Sequence, residues 1–472
     1  MSEKNDNRDR LMRHLKEAHT RYTTELLQIP GVHGVGIGFK EVGGKRTEEI
    51  VLIVRVDKKQ PRERIDPKEL IPRELVFYSE FAEDEVRVET DVQERRRPVT
   101  YPHIADGDLE NRVRPIPGGY SIGEHLGSGG TLGGWVWDNV TEQTVLLSNN
   151  HVLGATAGSD VTQPSEGDGA TWPADHFADV VRTGTLDATI AAPADGDDIS
   201  LSIEGIGPAV YEVAEATLGM QVEKSGQTTE HTRGTVTMVS YASYHYGSTN
   251  DFEVTTDTPG TRFAYYGDSG SLIVERNHPE DQSWKRVVGL LWGGDPNEEN
   301  AYAHQIEDVF EDLDLTTVCA GVIEAIVSEF FSEYAESTVP ERIVAAPLSH
   351  VMKRRRFFHG IGRDFERQLM QSPAGREIVD AIHTDRVAIV NFLRNREGLR
   401  ALAAIAGPLL KNAVTTDDLL ERRITKDDLQ RVERALKIAE RTEPDMRRSL
   451  RLADKLLHEA EGGSLHRILK GK

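Results

Sequence analysis

Residues 265–274 read Tyr-Tyr-Gly-Asp-Ser-Gly-Ser-Leu-Ile-Val and place Ser269 at the start of an apolar run. Small residues around a serine allow a tight turn that presents its hydroxyl group. The backbone N–H groups of Gly267 and Ser269 can then converge on one point, an oxyanion hole, where each donor stabilises a transition state by roughly 3–4 kcal/mol. A glycine-rich hairpin is the structural alternative for this stretch.

Two further stretches supply the groups that a nucleophilic serine requires. LLSNNHVLG (146–154) places His151 directly after a buried strand, where a general base is firmly held. TGTLDATIAAP (183–193) places Asp187 among apolar residues, where a carboxylate is unfavourable unless it is paired. Each residue alone is more often structural, but together they predict Ser269 as nucleophile, His151 as general base and Asp187 as the carboxylate that orients His151.

The chain around these residues is rich in short strands from about Gly118 to Leu315. Turn residues separate them, and no long helical pattern intervenes, so the region is predicted to be an all-β barrel or sandwich rather than a series of βαβ units. The strands include GTLGGWVW, TVLLSNN, ATIAAP, GTVTMVSY, DFEVTTD, SGSLIVE and RVVGLLWGG.

The order His, Asp, Ser and the surrounding strands resemble trypsin/chymotrypsin-like serine peptidases, specifically their bacterial and plant narrow-leaf-type branch. The matching stretches also include LGMQVEKSGQTTEHTRGTV and, at the other end of the region, AYAHQI. The resemblance implies two six-stranded β-barrels with the site in the cleft between them. It also implies that Gly267 and Ser269 form the oxyanion hole.

The resemblance further implies how a substrate binds. Leu291, Trp292 and Gly293 match the strand that pairs with the substrate backbone, and Phe263 matches the floor of the pocket for the side chain before the scissile bond. No acidic residue lies at that position, so a preference for Arg or Lys is not implied, and a shallow apolar pocket is expected.

Two departures from the family pattern concern carboxylates. Secreted relatives pair the aspartate that matches Asp268 with an amine freed by cleavage, but here about a hundred residues precede the barrel. Asp268 therefore needs another partner, such as an arginine or backbone N–H groups. In addition, Leu291 replaces a serine that usually supports the aspartate matching Asp187.

Composition shifts along the chain predict three domains. Residues 1–113 form a small α/β leader domain, residues 114–316 the all-β chymotrypsin-like double barrel, and residues 317–472 an all-α tail. The glycines at 31–38 fall within a strand pattern with no helix after it, so they indicate strand twist and close packing rather than a dinucleotide site. Two amphipathic stripes in the tail, one including Leu429 and Val432 and the other Leu450, predict a helical hairpin.

Charge is distributed unevenly. The chain carries −22 overall, but residues 341–472 contain 27 Lys and Arg against 19 Asp and Glu, a net +8, whereas residues 1–340 carry −30. This pattern disfavours general nucleic-acid binding and is compatible with self-association through the tail. The single cysteine, Cys319, excludes an intrachain disulfide. No long apolar run or secretory signal is evident, so we expect a cytoplasmic protein without a membrane partner.

The sequence predicts no cofactor or metal, since His231, His304 and His383 lack partners at ligand spacing. The leading hypothesis is an intracellular serine endopeptidase that hydrolyses protein or peptide substrates and is controlled by its flanking domains. A silent protein-binding module on the same fold is the first alternative, because fold does not guarantee function. An esterase that uses the same three residues is the second.

Overall fold

The computed structural model describes residues 2–100, 108–194, 199–208, 212–243, 248–276, 286–295 and 300–318. In the tail it describes residues 376–378, 381–382, 385, 389, 425–442 and 446–459. The chain divides into two compact units. The first comprises residues 1–136 and 145–315, and the second comprises residues 137–144 and 316–472.

Strands dominate the first unit. In chain order they are β1 Val32–Val42, β2 Lys45–Val56, β3 Glu74–Ser79, β4 Asp84–Glu94, β5 Val99–Thr100, β6 Ile116–Gly118, β7 Ser121–Glu124, β8 Gly129–Thr131, β9 Gly134–Asp138, β10 Gln143–Ser148, β11 Asp160–Thr162, β12 His176–Thr183, β13 Thr189–Pro193, β14 Ile199–Ile203, β15 Gly207–Pro208, β16 Glu212–Val213, β17 Gln221–Gly226, β18 Glu230–Ser243, β19 Asp251–Thr256, β20 Leu272–Glu275, β21 Arg286–Gly294, β22 Asn300–Gln305 and β23 Leu315–Thr316.

The helices of the described residues are α1 Ser2–Leu27, α2 Asn150–Leu153, α3 Ile306–Asp312, α4 Lys426–Thr442 and α5 Arg447–Glu459. Helices α4 and α5 form the hairpin predicted for the end of the tail, and they contact each other. Much of the predicted all-α tail, including residues 322–335 and 398–410, lies outside the described residues. No helix in the described parts of the chain is long and apolar enough to cross a membrane.

One barrel of the first unit is closed. Its six strands follow the order β17-β20-β21-β22-β19-β18, and β18 also pairs with β17. A second sheet, with order β23-β9-β10-β13-β12-β11-β7-β8, curls into a partly open barrel. The predicted all-β, chymotrypsin-like double barrel is therefore confirmed.

The sheet of the closed barrel continues into the N-terminal segment. Strand β18 is 14 residues long and pairs with β1, which begins a run β1-β2-β4-β3 in the same sheet. The glycines of β1 permit this close pairing, because a Cβ on Gly34 would lie 2.4 Å from the Tyr241 ring and one on Gly36 would lie 2.5 Å from Met238. The interpretation of these glycines as packing residues is confirmed.

Several apolar clusters fill the first unit. The largest is shared, since Leu15, Val35 and Leu52 of the N-terminal segment belong to the same cluster as Val236 and Phe252 of the closed barrel. Burying apolar surface stabilises by roughly 25 cal/mol per Å², so this joint core holds the N-terminal segment firmly against the barrel. Two further clusters fill the region around the curled sheet.

Candidate active site

Strand pairing brings His151 and Asp187 together. Strands β10 and β13 are antiparallel with Ser148 opposite Thr189, so the residues just beyond the end of β10 meet those just before the start of β13. His151 Nδ1 lies 2.6 Å from Asp187 Oδ2, and the backbone N–H of His151 donates to Asp187 Oδ1 at 3.1 Å. The Asp187 carboxylate is buried, and both of its oxygens are used to hold His151.

The backbone of Asp187 is also fixed. The Asn149 side-chain amide donates to the Asp187 carbonyl at 2.6 Å. In contrast, His151 Nε2 has no hydrogen-bond partner among the described residues. The imidazole is therefore oriented through one nitrogen, while the other is available to a proton donor.

The turn around Ser269 is bound to β21 by backbone hydrogen bonds. Gly270 N–H donates to the Leu291 carbonyl at 2.9 Å, and Leu291 N–H donates to the Ser271 carbonyl at 3.0 Å. Gly267 and Gly270 have φ values of +93° and +94°, a region that favours glycine. These hydrogen bonds and the two positive φ values fix the backbone of the turn.

Residue Thr131 of β8 connects this turn to the strand that carries His151. Its N–H donates to the Ser269 carbonyl at 2.8 Å, and its own carbonyl accepts from the Ser148 hydroxyl at 2.8 Å. Its hydroxyl donates to the Gly267 carbonyl at 2.8 Å. Ser148 is three residues before His151, so Thr131 connects the Ser269 turn to the strand that leads to His151.

The predicted oxyanion donors are available. Within the described part of the chain, neither the Gly267 N–H nor the Ser269 N–H donates a hydrogen bond. The Ser269 hydroxyl donates to the Trp292 carbonyl at 3.1 Å, and Ser269 is fully buried. The Ser269 hydroxyl is thus held against β21 and away from bulk solvent, and no hydrogen bond joins it to His151 among the described residues.

Lys224 of β17 is the cationic partner of Asp268, a pairing that the sequence did not predict. The Lys224 ammonium lies 3.2 Å from Asp268 Oδ2, and both side chains have no exposed surface. Burial lowers the pKa of Lys224 from its ordinary value, whereas Asp268 acts in the opposite direction. The one indication of this pair in the sequence is the lysine inside the barrel strand QVEKSG.

The Asp268 carboxylate also accepts four hydrogen bonds. Oδ1 accepts the N–H groups of Thr228 and Thr229, both at 3.1 Å, and Oδ2 accepts the Thr229 hydroxyl at 2.6 Å and the Tyr265 N–H at 2.8 Å. A buried carboxylate is tolerated when it is paired and hydrogen-bonded in this way. Asp268 therefore needs no newly cleaved amine.

The residues predicted to bind substrate occupy different environments. Phe263 is fully buried in the largest apolar cluster, so its ring belongs to the core. The backbone N–H and carbonyl of Leu291 are both used by the Ser269 turn. The Trp292 ring is buried beside Tyr302, and the Trp292 carbonyl accepts the hydrogen bond from the Ser269 hydroxyl. Gly293 pairs on both sides, with β22 and with β5.

A second histidine–carboxylate pair, which is buried, joins β22 and β19. His304 Nδ1 is 2.8 Å from Asp251 Oδ1, and the Trp292 indole N–H donates to Asp251 Oδ2 at 3.2 Å. Burial alone would lower the pKa of His304, but Asp251, and Asp187 after it, raise it above its ordinary value. This cluster fixes Trp292 and hence the carbonyl that accepts from Ser269.

Other histidines have ordinary partners. His231 Nε2 is 2.9 Å from Glu223, and His176 Nε2 is 3.1 Å from Asp179. His176 also forms, with Asp160 and Asp179, a group whose geometry could hold an ion, which spacing in the sequence did not reveal. The contacts between imidazole and carboxylates account for this partly exposed group, and it carries no metal assignment.

Replacement of Gly267 by alanine should disrupt the turn. Its Cβ would lie 2.4 Å from the Thr228 hydroxyl, and φ is +93°. We expect a loss of roughly 1–3 kcal/mol in the free energy of unfolding, together with a large loss of activity. Gly158→Ala is a matched control, because φ there is +84° but nothing lies within 4 Å. Equal effects of both changes on stability and activity, by urea unfolding and peptide assay, would contradict the assignment.

Sequence comparison points to a peptidase. The family model described as Peptidase family S64 matches residues 197–319, a span that includes Lys224, Ser269 and β21 but neither His151 nor Asp187. No curated protein sequence matches the chain. The family match confirms the predicted resemblance to serine peptidases, whereas the narrow-leaf branch stays a prediction.

Solved structures of bacterial proteases are similar to part of the chain. Protease A of Thermobifida fusca has 18% identity and a TM-score of 0.31, with 43% of this chain and 97% of that chain covered. The Nocardiopsis protease has 16% identity and a TM-score of 0.31, covering 43% and 98%. The chymotrypsin of Cellulomonas bogoriensis has 15% identity and a TM-score of 0.31, covering 43% and 97%.

Proposed function

We propose that this chain is a trypsin/chymotrypsin-like serine endopeptidase that uses Ser269, His151 and Asp187. The observation that carries the proposal is the pairing of His151 with buried Asp187, coupled through Thr131 to a serine turn. Two N–H groups of that turn donate no hydrogen bond among the described residues. A nucleophile, an oriented base and preorganised donors are the parts that acyl transfer requires.

The chemistry follows from these parts. When the Ser269 side chain turns from the Trp292 carbonyl to His151 Nε2, the imidazole takes the hydroxyl proton and Oγ attacks the scissile carbonyl carbon. The N–H groups of Gly267 and Ser269 stabilise the oxyanion. His151 then protonates the leaving amine, and the C–N bond breaks. Water, activated by His151 in the same way, hydrolyses the acyl-enzyme and restores Ser269.

The buried pair of Lys224 and Asp268 holds the Ser269 turn in place. Asp268 lies between the two oxyanion donors in sequence, so its position fixes the peptide units on both sides. Since Lys224 is part of the barrel itself, the proposed peptidase does not depend on cleavage of a zymogen to satisfy Asp268. Control by the N-terminal segment and self-association through the tail remain proposals, as does the intracellular location.

One observation favours a silent binding module as a second candidate. The Ser269 hydroxyl bonds to Trp292, and the nucleophile is buried. A module that never exposes Ser269 would bind proteins without cleaving them. The two candidates differ in one measurable property, which is whether Ser269 reacts with an electrophile.

Labelling with a fluorophosphonate separates these candidates. We expect one probe to attach per chain, at Ser269 by peptide mapping, because an oriented histidine activates only that hydroxyl. Ser269→Ala should remove the label, and Ser159→Ala, at a serine in a surface loop, should leave it unchanged. Absence of label after prolonged exposure to the probe, or a label on another serine, would contradict the peptidase proposal.

A further inference from the structure

The last residues of β21 are paired along both edges. On one edge they pair with β22, as in the rest of the barrel. On the other edge Gly293 is opposite Thr100 and Gly294 is opposite Val99, both in β5, and the two strands are antiparallel. The resemblance to trypsin-like peptidases assigns one edge of this strand to the substrate backbone. A segment of the chain itself therefore occupies an edge next to the site.

The edge held by β5 is the one that carries the nucleophile. Along it, β20 pairs with Gly289 and Leu290, and the next residue, Leu291, bonds to Gly270 and Ser271. Strand β5 pairs with the residues that follow, Gly293 and Gly294. It therefore continues the edge immediately beyond the Ser269 turn, where an extended peptide would add to the sheet by β-augmentation.

The contact leaves no room for a substrate strand. A Cβ placed on Gly293 would lie 2.1 Å from the Val99 carbonyl oxygen and 3.1 Å from Thr100 Cα, so the two backbones are in direct contact. An edge can pair with one strand at a time, since each residue offers one N–H and one carbonyl. The full burial of Ser269 is consistent with a closed site.

The segment is held mainly from the N-terminal side. Arg97 donates two hydrogen bonds to the Asp57 carboxylate, at 2.9 and 2.8 Å, and Asp57 follows directly after β2. Arg95 N–H donates to the Val56 carbonyl at 3.1 Å. Val99 is 37% exposed, whereas the adjacent Pro98 is buried. A two-residue pairing with a partly exposed ion pair is a reversible contact.

We infer that residues 97–100 form a built-in competitor for the substrate backbone, and that release of β5 from Gly293 and Gly294 activates the enzyme. The inference rests on the proposed peptidase function and specifies how the N-terminal segment controls it. Since the ion pair of Arg97 with Asp57 holds the segment at the end of β2, an event that breaks this pair would free the edge.

The test compares two probes on full-length variants. A small fluorophosphonate needs only access to Ser269, whereas a tetrapeptide phosphonate must also pair with β21. In Arg97→Ala we expect the tetrapeptide probe to react roughly threefold to fivefold faster than in the wild type, as expected for loss of one partly exposed ion pair. Val99→Pro with Thr100→Pro should raise the rate further, because proline cannot donate to a ladder. Arg96→Ala, at an exposed neighbour, is the matched control.

A second measurement does not depend on activity. In the Ser269→Ala background, hydrogen exchange of the peptide that carries Gly293 and Gly294 should become faster in Arg97→Ala than in Arg96→Ala. Unchanged probe rates and unchanged exchange in both the Arg97 and the double-proline variants would overturn the inference while leaving the peptidase function intact. Failure of both probes to label Ser269 in every variant would instead overturn the proposed function, and with it the inference.

Discussion

Replacement of Ser269 by alanine is expected to reduce kcat for peptide hydrolysis by on the order of 10⁶-fold, and His151→Ala is expected to cost as much. The nucleophile and its base act as one unit, so losing either removes the covalent route and their losses do not add. The double variant should therefore match each single variant. Asp187→Asn should retain more activity, with a loss of roughly 10⁴-fold, since the base remains but is poorly oriented.

The measurement is kcat for an internally quenched peptide, with cleavage sites read by mass spectrometry. His125→Ala is a matched control for His151→Ala, because His125 Nδ1 lies 2.7 Å from Glu166 and so forms a similar pair away from Ser269. It should change kcat by less than about twofold, as expected for a residue outside the site. Cleavage by Ser269→Ala at the wild-type rate, or additive losses in the double variant, would contradict the assignment.

The site residues that the sequence predicted are all positioned by residues close to them in the chain. His151 follows β10 and Asp187 precedes β13, and both strands are predicted by the sequence pattern. The antiparallel pairing of β10 with β13 then brings the two residues together. The Ser269 turn is specified by glycines at positions with positive φ. In each case the sequence within a few residues determines the backbone that presents the group.

The features that the sequence did not predict depend on distant pairings. Lys224 is 44 positions from Asp268, and a lysine in a strand is usually solvated rather than buried. The pairing of β1 with β18 joins segments about 200 residues apart, so the leader segment could not be recognised as part of the barrel sheet. Strand β5 has two residues and lies in a proline-containing segment. Two residues are too few for an alternating pattern to be recognised.

Replacement of Lys224 by methionine is the prediction with the second largest effect. It leaves the Asp268 carboxylate buried without a cation, and breaking a buried pair in this way typically costs about 3–5 kcal/mol in the free energy of unfolding. Urea unfolding should detect that loss. Lys16→Met is the control, because Lys16 pairs with Glu215 at the surface and should change stability by less than about 1 kcal/mol.

Activity should fall further than stability alone explains. Asp268 lies between Gly267 and Ser269, so its displacement misplaces the oxyanion donors, and loss of one such donor costs about 10²–10³ in kcat. Combining Lys224→Met with Asp268→Asn removes the unpaired charge and should recover stability. It should not recover kcat fully, because the amide cannot reproduce every contact of the carboxylate. Full activity in the folded Lys224→Met variant would show that the pair does not position the turn.

The pH dependence of kcat provides an independent test of the same pair. Burial holds the pKa of Lys224 below its ordinary value of 10.5, although Asp268 opposes that shift. Lys224 is protonated and paired below this lowered pKa, and the pair loses its cation as the pH rises through it. Activity should therefore decline on the alkaline side before pH 10.5 is reached. Lys224→Arg should move the decline to higher pH, since a guanidinium stays charged throughout that range. An alkaline limb that is identical in the lysine and arginine forms would mean that a group other than Lys224 controls it.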